Sequence, residues 1–491
     1  VDAKGRTIIP GLIDSHMHLL GYGEYLSSLI LTKVESIDEI VKKAKKYIKK
    51  NNLTKDDWLI GQGLNDEQLS EKRMPTRKEL DSISREIPIV IKRICFHSIS
   101  CNTRALEIAG IDENTKIDGG KIEKDENGQP NGIFREAAKE LIERNIPKPS
   151  VKDIKNMIKK ASKVAVQNGL TGVQTDDFCI IKEKDAWKRI IEAYNQLEEE
   201  KKLPIRIYEQ CLFHDENELK EFINKGYKTG VGSEMFKIGP LKILSDGSLG
   251  SRTAYLSEPY KDYPNNTGTP ILKKEEIENL IQIAHDNNMP SAIHAIGDKA
   301  IEIAIEGIKK AQSKNEKDDI RHGIVHYQIT NEKIFDEVKD NKIITYIQPV
   351  FVGYDSKIAE SRIGKERAKT SYNWKRLFDM GITAALGTDC PVESLNPFEN
   401  IYCGVTRQDN DGNPEGGWLP EQKISVEEAV KGYTINSAYA SYDENKKGTI
   451  EVGKYADMIM ISEDIFNIDP NSIKDIKCKM TIVNGTIVYN G

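Results

Sequence analysis

The chain has 491 residues, of which 38% are hydrophobic and 30% charged, with a formal net charge of -6. This composition is typical of a folded globular protein and excludes a disordered chain. Lysines interleaved with glutamates along helical patterns give no indication of nucleic-acid binding. No run approaches the roughly 18 apolar residues of a membrane-spanning helix, and no signal peptide precedes the first motif. We therefore expect a cytoplasmic protein without a membrane partner.

The cysteines and the first residues add two expectations. Seven cysteines are scattered along the chain without a C-x-x-C pair, which favours reduced thiols in a reducing compartment. The chain begins at Val1 and enters a strand-like segment almost at once, so we expect further strands upstream.

Eight short, β-rich apolar runs recur along the chain, and helical patterns with Lys and Glu on one face separate the later ones. This alternation is typical of βα units around parallel strands. Because eight such strands close a TIM-type barrel, we predict an α/β fold with a (β/α)8 barrel. The predicted strands span residues 9–16, 169–175, 205–211, 241–244, 291–294, 320–326, 343–348 and 383–387.

Additions to the barrel are predicted from the intervals between these strands. The first interval is too long for one crossover helix and contains its own strand-like and turn-rich runs. We predict an inserted cap domain at about 20–165, within a barrel that spans 9–390. Residues 391–445 are expected to supply barrel-closing loops and helices. Segments 1–8 and 446–491 have alternating patterns and an Asn-Gly turn, which indicate a small β-sandwich built from both chain ends.

The end of the first predicted strand carries a possible metal-binding motif. Asp14, His16 and His18 lie in IDSHMHL. Residues two apart on a strand point to the same side, so both imidazoles can face one metal ion. Lys242 lies inside the fourth apolar strand, where a buried ammonium is costly unless it is paired or modified.

Further candidate ligands lie at the ends of later strands. His294 ends the fifth strand, His326 ends the sixth, and Asp389 follows the eighth. Taken singly, each is more often a hydrogen-bonded core residue, and an H-x-H pair can be purely structural. Taken together, six suitable side chains converge on the C-terminal mouth of the barrel, where active sites of this fold lie. The sequence therefore predicts a metal centre.

The order HxH, Lys, His, His, Asp resembles the amidohydrolase superfamily. The residues around these positions resemble its YtcJ-like branch, the amidohydrolase 3 group that includes N-substituted formamide deformylases. The resemblance covers essentially the whole chain, although this branch has additional sandwich strands before the first matched motif. The matching stretches are DAKGRTIIPGLIDSHMHL, LKILSDGSLGSRTA, AIHAIGDKA, IRHGIVHYQ, LGTDCPVESLNPF and GTIEVGKYADMIM.

The resemblance implies a ligand set for two metal ions. It implies that His16 and His18 bind the more buried ion and that His294 and His326 bind the second. Lys242 would be carboxylated by CO2, so that its carbamate bridges both ions. If Lys242 is not carboxylated, the site would hold one ion. The ligand types suit two zinc ions, with manganese, iron or cobalt as alternatives.

Asp389 would ligate the buried ion and act as the catalytic proton shuttle, by the same resemblance. Water bridged between two cations is acidified to hydroxide, and Asp389 would pass its proton to the leaving nitrogen. Strand alternation points Cys390 away from the metals. The patterns around His214 and His285 are typical of ordinary surface residues.

Five further residues are candidates for substrate contact. Asp246 and Arg252 lie in SDGSLGSRTA after the fourth strand, although Asp246 could instead cap the turn. His322 shares the strand face of His326 one layer deeper, where a structural role is the alternative. His97 and Asn102 lie in RICFHSISCNTRAL of the insertion and resemble a pair that faces the substrate in this branch, with a structural or solvated role equally open.

The predicted function is hydrolysis of a non-peptide C–N bond, in an amide, formamide or cyclic amide of a small molecule. Ester or lactone hydrolysis is the alternative, because the same site chemistry serves either bond. A non-catalytic metal-binding regulator is a third possibility, which Asp389 disfavours because a regulator has no need of a proton shuttle. The substrate and the oligomeric state do not follow from the sequence.

Overall fold

A computed structural model describes residues 2–94 and 97–491. The chain forms two compact units, one made of Val1–Tyr22 with Ile154–Gly491 and the other of Gly23–Asp153. The second unit ends earlier than the insertion predicted at about 20–165. The helix at Val151–Gln167 leads directly into a barrel strand at Leu170, so most of it belongs to the first unit.

The strands are β1 (Ile8–Pro10), β2 (Leu12–Met17), β3 (Leu29–Ile30), β4 (Leu59–Leu64), β5 (Ile89–Arg93), β6 (Ser98–Cys101), β7 (Gly120–Lys124), β8 (Pro130–Glu136), β9 (Leu170–Thr175), β10 (Arg206–Leu212), β11 (Phe236–Leu244), β12 (Ser291–Ala295), β13 (Gly323–His326), β14 (Ile344–Ile347), β15 (Ala384–Leu386), β16 (Met458–Ile461), β17 (Cys478–Val483) and β18 (Thr486–Asn490).

The α-helices are α1 (Leu19–Leu26), α2 (Ile37–Asn51), α3 (Arg77–Asp81), α4 (Thr103–Ala109), α5 (Glu140–Glu143), α6 (Val151–Gln167), α7 (Ala186–Glu199), α8 (Glu216–Asn224), α9 (Lys274–Asp286), α10 (Asp298–Lys314), α11 (Glu332–Asp340), α12 (Val352–Asp355), α13 (Ala359–Ile363), α14 (Lys365–Lys369), α15 (Trp374–Asp379), α16 (Pro397–Thr406), α17 (Val426–Tyr433) and α18 (Ile435–Ala440). Among the described residues, no helix is both long and apolar enough to cross a membrane.

Eight strands form the predicted barrel. Their order is β15-β14-β13-β12-β11-β10-β9-β2, and every neighbouring pair is parallel. The first and last strands also meet, because the amide of Asp389 donates to the carbonyl of His16 at 2.8 Å. The predicted (β/α)8 fold is confirmed. Parallel strands bring all their carboxyl ends to one mouth.

Two of the predicted strands differ most from the observed ones. The predicted strand 9–16 is two strands, because β1 pairs antiparallel with β16 before the chain turns into the barrel. The break is at Gly11, where a Cβ atom would lie 2.2 Å from the Thr171 hydroxyl, so only glycine fits this close approach. The fourth barrel strand starts at Phe236 rather than Leu241.

The chain ends form a four-stranded antiparallel sheet in the order β1-β16-β17-β18. The Asn-Gly turn between β17 and β18 is at Asn484 and Gly485, both with positive φ, as the sequence predicts. The alternating pattern that precedes β16 does not form a strand, because the structure has none among the described residues between α18 and β16. Lys454 donates to the Glu444 carbonyl and the Thr449 hydroxyl, which folds this segment back on itself instead.

The second unit contains a mixed six-stranded sheet in the order β3-β4-β5-β6-β8-β7. Its helix α2 begins after Ser36, whose hydroxyl accepts from the Glu39 amide at 3.2 Å. Ile37, Ile40 and Ala44 on one face of α2 are buried, and they pack with apolar residues of β4 and β5.

The cysteines described by the structure are all free: Cys101, Cys179, Cys211, Cys390, Cys403 and Cys478. Cys95 lies outside the described residues.

Candidate metal centre

The candidate ligands lie at the carboxyl ends of barrel strands. His16 is the fifth residue of β2, and His18 follows the strand. Lys242 is in β11, His294 in β12 and His326 at the end of β13. Asp389 lies three residues beyond β15.

Short distances join these side chains into one cluster. Lys242 Nζ is 3.0 Å from His16 Nε2. Asp389 Oδ1 is 3.2 Å from His18 Nε2 and 3.5 Å from His16 Nε2. The ring centres of His16 and His326 are 5.6 Å apart. His294 extends the cluster, with its ring centre 4.4 Å from that of His326.

Fixed oxygen atoms orient the imidazoles of β2. The Gln210 amide donates through Nε2 to the Ser15 carbonyl at 3.1 Å, so its Oε1 faces His16 Nδ1 at 2.8 Å. His16 must therefore carry its hydrogen on Nδ1, which leaves the lone pair of Nε2 directed at Lys242 Nζ. His18 Nδ1 faces the Asp176 carbonyl at 2.8 Å and must also be the donor there.

The other two imidazoles are held in the same manner. Gln348 donates through Nε2 to the Tyr346 carbonyl at 3.1 Å, so its Oε1 accepts from His326 Nδ1 at 2.9 Å. His294 donates through Nε2 to the Gly247 carbonyl at 3.1 Å. Each of the four rings thus has one nitrogen bonded to oxygen, which is Nδ1 in His16, His18 and His326 and Nε2 in His294. Metal-binding histidines are held in this way.

The electrostatics also favour a cation. Burial lowers the pKa of His16 and of His294 well below the ordinary value and that of His326 to about 4, so these rings are neutral at pH 7. Burial opposes a proton on His18 as well, yet its pKa is raised because Cys179 and Asp389 lie beside it. A positive charge is therefore stabilised beside Asp389, where a metal ion would displace the proton.

Asp389 is positioned to act as a metal ligand. It is buried, and its Oδ1 faces the Nε2 atoms of His18 and His16. His16, His18 and Asp389 can offer three ligand atoms within 4.8 Å of one another. Asp389 and His326 have φ of 58° and 79°, a left-handed backbone that non-glycine residues rarely adopt and that occurs often at functional sites. Two imidazoles and a carboxylate fit a divalent cation.

The buried Lys242 side chain has an unusual setting. It is 2% exposed, and burial lowers the pKa of its ammonium despite the nearby carboxylates of Asp176 and Asp389. Its hydrogen-bond contact within the described chain is the imidazole of His16. A buried amine with a lowered pKa is a reactive one.

The structure adds Asp176 and Cys179 to this region. With His18 they form a second group whose ligand atoms lie within 4.8 Å. Asp176 Oδ1 is buried without a hydrogen-bond partner in the described chain, and the Cys179 thiol donates to the Asp176 carbonyl at 3.2 Å. Asp176 directly follows β9 in QTDD, a strand-end position like those of the predicted ligands, so the same criterion could have found it.

Asp14 links β2 by hydrogen bonds to the segment that follows β15, the last barrel strand. Its carboxylate accepts from the Thr388 amide at 3.1 Å and the Thr388 hydroxyl at 2.6 Å, and it also accepts from the His16 amide. Burial raises the pKa of Asp14 to about 7. These bonds fix the distance between His16 and Asp389 through the backbone.

Two predicted substrate contacts in the loop after β11 have partners within the protein. Asp246 accepts from the amides of Tyr255 and Gly297, both at 2.8 Å, and its Oδ1 lies 3.5 Å from His294 Nε2. The Arg252 guanidinium pairs with Asp262 at 2.8 Å.

His322 does not join the cluster. Its Nδ1 accepts from the Ser291 amide at 3.0 Å, and its Nε2 lies 3.0 Å from His285 Nδ1. His285 in turn donates through Nε2 to the Asn315 carbonyl at 2.6 Å. His285 is fully buried, so its interpretation as a surface residue was wrong. It lies on α9, whose inner face packs on the barrel.

The two candidates in the second unit also have local partners. His97 is exposed and pairs with Glu136 at 3.0 Å. Asn102 is fully buried and caps α4, accepting from the amides of Ala105 and Ile89. Its Nδ2 donates to the Ser84 carbonyl and to a second carbonyl of the same loop.

A parallel barrel that carries imidazoles and a carboxylate at its C-terminal mouth is the architecture of metal-dependent hydrolases. The amidohydrolase family model matches residues 1–489, and the chain belongs to that family. It is 34% identical to YtcJ of Bacillus subtilis over 490 residues, which cover 100% of this chain and 90% of YtcJ.

Two further comparisons agree with this assignment. The chain is 23% identical to the N-substituted formamide deformylase of Arthrobacter pascens, covering 100% of this chain and 89% of that enzyme. An uncharacterized metal-dependent hydrolase from Pyrococcus horikoshii superposes with a TM-score of 0.80 at 27% identity, covering 96% of this chain and 89% of that one. The predicted family and branch are confirmed.

Proposed function

We propose that this protein hydrolyses a non-peptide C–N bond, in an amide, formamide or cyclic amide of a small molecule. The observation that supports it most is the set of four oriented imidazoles clustered with the buried carboxylate of Asp389. Similarity to the Arthrobacter pascens deformylase supports a C–N bond as the target.

The proposed ligand set holds two divalent ions. His16, His18 and Asp389 would hold one, and His294 and His326 the second. Imidazole and carboxylate ligands suit zinc, with manganese, iron and cobalt as alternatives.

Lys242 is proposed to link the two ions as a carbamate. Its lowered pKa leaves a share of neutral amine that can react with CO2. Carboxylation would replace a costly buried cation by an anion that balances two metal charges.

When bound, the ions would supply Lewis acidity, which polarises the scissile carbonyl and acidifies the attacking water. Asp389 is ionised at neutral pH, because its pKa lies below the ordinary value although burial opposes this. Its Oδ1, which lies beside His18 and His16, can accept the proton of the attacking water and pass it to the leaving nitrogen. The hydrogen bonds of Asp14 to Thr388 keep Asp389 in place during both transfers.

The test compares the wild-type enzyme with Asp389→Asn on matched substrates: an N-substituted formamide, a cyclic amide, an ester and a lactone. We expect turnover of an amide-type substrate and a loss of at least about 10²-fold in the variant, with folding and much of the metal content retained. Turnover of esters alone would indicate an ester or lactone hydrolase. No turnover by a metal-loaded protein would favour a non-catalytic regulator, and full activity of the variant would remove Asp389 from the mechanism.

Elemental analysis tests the metal proposal separately. Wild-type protein prepared without chelator should contain about two ions per chain, and Lys242→Ala should contain fewer. Intact mass under CO2 should show the carbamate. One ion per chain in both proteins would indicate a mononuclear site and contradict the bridge.

A further inference from the structure

Glu209 is a fully buried glutamate of β10, next in the chain to Gln210. Gln210 faces His16 Nδ1, whereas the side chain of Glu209 is directed at the segment that follows β9. Its Oε1 accepts from the Asp177 amide at 2.8 Å and from the Phe178 amide at 3.3 Å. Because burying a carboxyl group is costly, its use to hold one short loop indicates that the position of this loop matters.

A single peptide group joins Glu209 to His18. The carbonyl of Asp176 and the amide of Asp177 belong to the same planar unit, and they point in opposite directions because this peptide is trans. The amide donates to Glu209 Oε1 at 2.8 Å, and the carbonyl accepts from His18 Nδ1 at 2.8 Å. The Cys179 thiol donates to the same carbonyl at 3.2 Å. A rotation of this plane would break the bonds on both sides, so the position of the His18 acceptor depends on Glu209.

Other bonds hold the backbone that follows His18. The Asp177 carboxylate accepts from the Leu20 amide at 2.8 Å and from the Thr175 hydroxyl at 2.7 Å. The Thr175 hydroxyl in turn accepts from the Leu19 amide at 2.8 Å. These bonds fix the start of α1, whereas the bond from Glu209 acts on the group that orients the imidazole ring.

We propose that Glu209 is a positioning residue of the metal centre, which holds His18 for metal binding through the peptide group between Asp176 and Asp177. Because Gln210 acts directly on the other imidazole, two successive residues of one strand would orient both histidines of the H-x-H pair. Hydrogen bonds in a chain polarise one another, which favours the His18 tautomer that carries its hydrogen on Nδ1. This inference rests on the metal centre of the proposed function, but not on the kind of bond that is cleaved.

Two replacements of Glu209 test this role. Glu209→Met removes the acceptor of both amides and should lower metal affinity by about 10- to 100-fold, the effect of losing an orienting group. Glu209→Gln keeps an oxygen at this place and puts its NH2 group where Oε2 has no partner in the described chain, so it should restore most of the affinity. Burial and the Asp177 carboxylate raise the pKa of Glu209 well above the ordinary value, so a neutral amide also matches its charge. The assay is a competition titration of metal-free protein with zinc against a chromophoric chelator.

Glu218→Met is the matched control. Glu218 of α8 is likewise buried and accepts from two backbone amides, those of Asp185 at 2.8 Å and His214 at 2.9 Å. Neither amide shares its peptide group with a carbonyl that orients a proposed ligand. In urea unfolding both methionine variants should be less stable than the wild type, whereas only Glu209→Met should lose metal affinity. If Glu209→Met does not fold, Glu209→Asp takes its place, because a side chain one methylene shorter withdraws the oxygen from the two amides.

NMR of metal-free protein labelled with 15N-histidine tests the link without a metal ion. The chain has eight histidines, and His18→Gln identifies the ring signal of His18. In the wild type the Nδ1 hydrogen should be protected from exchange with water, and in Glu209→Met it should exchange faster.

The proposal is overturned if Glu209→Met keeps wild-type affinity, if Glu209→Gln loses as much affinity as Glu209→Met, or if the His18 ring hydrogen is equally protected in both proteins. A wild-type protein that binds no metal but shows the expected change in exchange would contradict the proposed function while supporting the link between Glu209 and His18.

Discussion

Replacing Gln210 by methionine tests whether the glutamine amide prepares His16 to bind a metal ion. Methionine has a similar length but no amide. The His16 Nδ1 hydrogen loses its acceptor at 2.8 Å, and the Ser15 carbonyl loses its donor at 3.1 Å. Both groups remain buried in the barrel, where water cannot replace the amide.

The size of the effect follows from these two bonds. Each unsatisfied buried polar group costs about 1–3 kcal/mol, so the free energy of unfolding should fall by roughly 2–6 kcal/mol. The imidazole is then free to rotate or to change tautomer. Loss of such an orienting group lowers metal affinity by about 10- to 100-fold.

The assay is a competition titration of metal-free protein against a chromophoric chelator, with urea unfolding of the same samples. Gln174→Met is the matched control. Gln174 is a buried glutamine of β9 that donates to the Ser437 carbonyl at 2.7 Å, and its other amide atom has no partner in the described chain. The control should lose stability and keep its metal affinity. Wild-type affinity in Gln210→Met, or an equal loss in both variants, would refute the reasoning.

Three other outcomes are expected. Burial lowers the pKa of His322 to about 3, so the unfolded chain binds a proton that the folded chain excludes. Wild-type stability should thus fall by about 2 kcal/mol more than that of His322→Asn between pH 7 and pH 5 in urea unfolding; parallel curves would contradict this. Asp457→Asn removes the carboxylate that lies 2.7 Å from the buried Arg206 guanidinium and should cost about 3–5 kcal/mol in the same assay, because it leaves that charge unpaired; a cost below about 1 kcal/mol would count against it. In Gly387→Ala the new Cβ would lie 2.6 Å from the His16 amide nitrogen, so His16 should be displaced and the metal content should fall. Unchanged metal content by elemental analysis would show that the loop moves enough to accept the methyl group.

The barrel could be predicted from the sequence because its strands are locally distinctive. The run that ends at Thr175 contains the β-branched residues Thr171, Val173 and Thr175 and is bounded by Gly169, and β9 begins at the residue after that glycine. Polar residues at the carboxyl ends of these strands then indicate a site even before any contact is known, because parallel strands all end at the same mouth of the barrel. His294 and His326 were found in this way, and the fold places their rings side by side.

Residues whose role depends on a distant partner could not be predicted. Gln210 meets an imidazole from β2, two strands away in the sheet, and Gln348 meets His326 across a neighbouring strand. Nothing in the pattern of a single strand distinguishes such a glutamine from a polar residue that faces solvent. His285 lies on the buried face of α9 with Ile277, Ile281 and Ala284, but its partner His322 is 37 residues away, so its role could not be read from the helix alone.

The contact between Asp14 and Thr388 joins residues 374 positions apart. The carboxylate of Asp389 and the strand that closes the barrel therefore arrive late in synthesis, long after His16 and His18 have left the ribosome. A chain that stops before β15 has the imidazoles but neither the closing strand nor the carboxylate that we propose as a metal ligand. The proposed metal centre therefore requires a finished barrel, and chains truncated before β15 should be purified without metal.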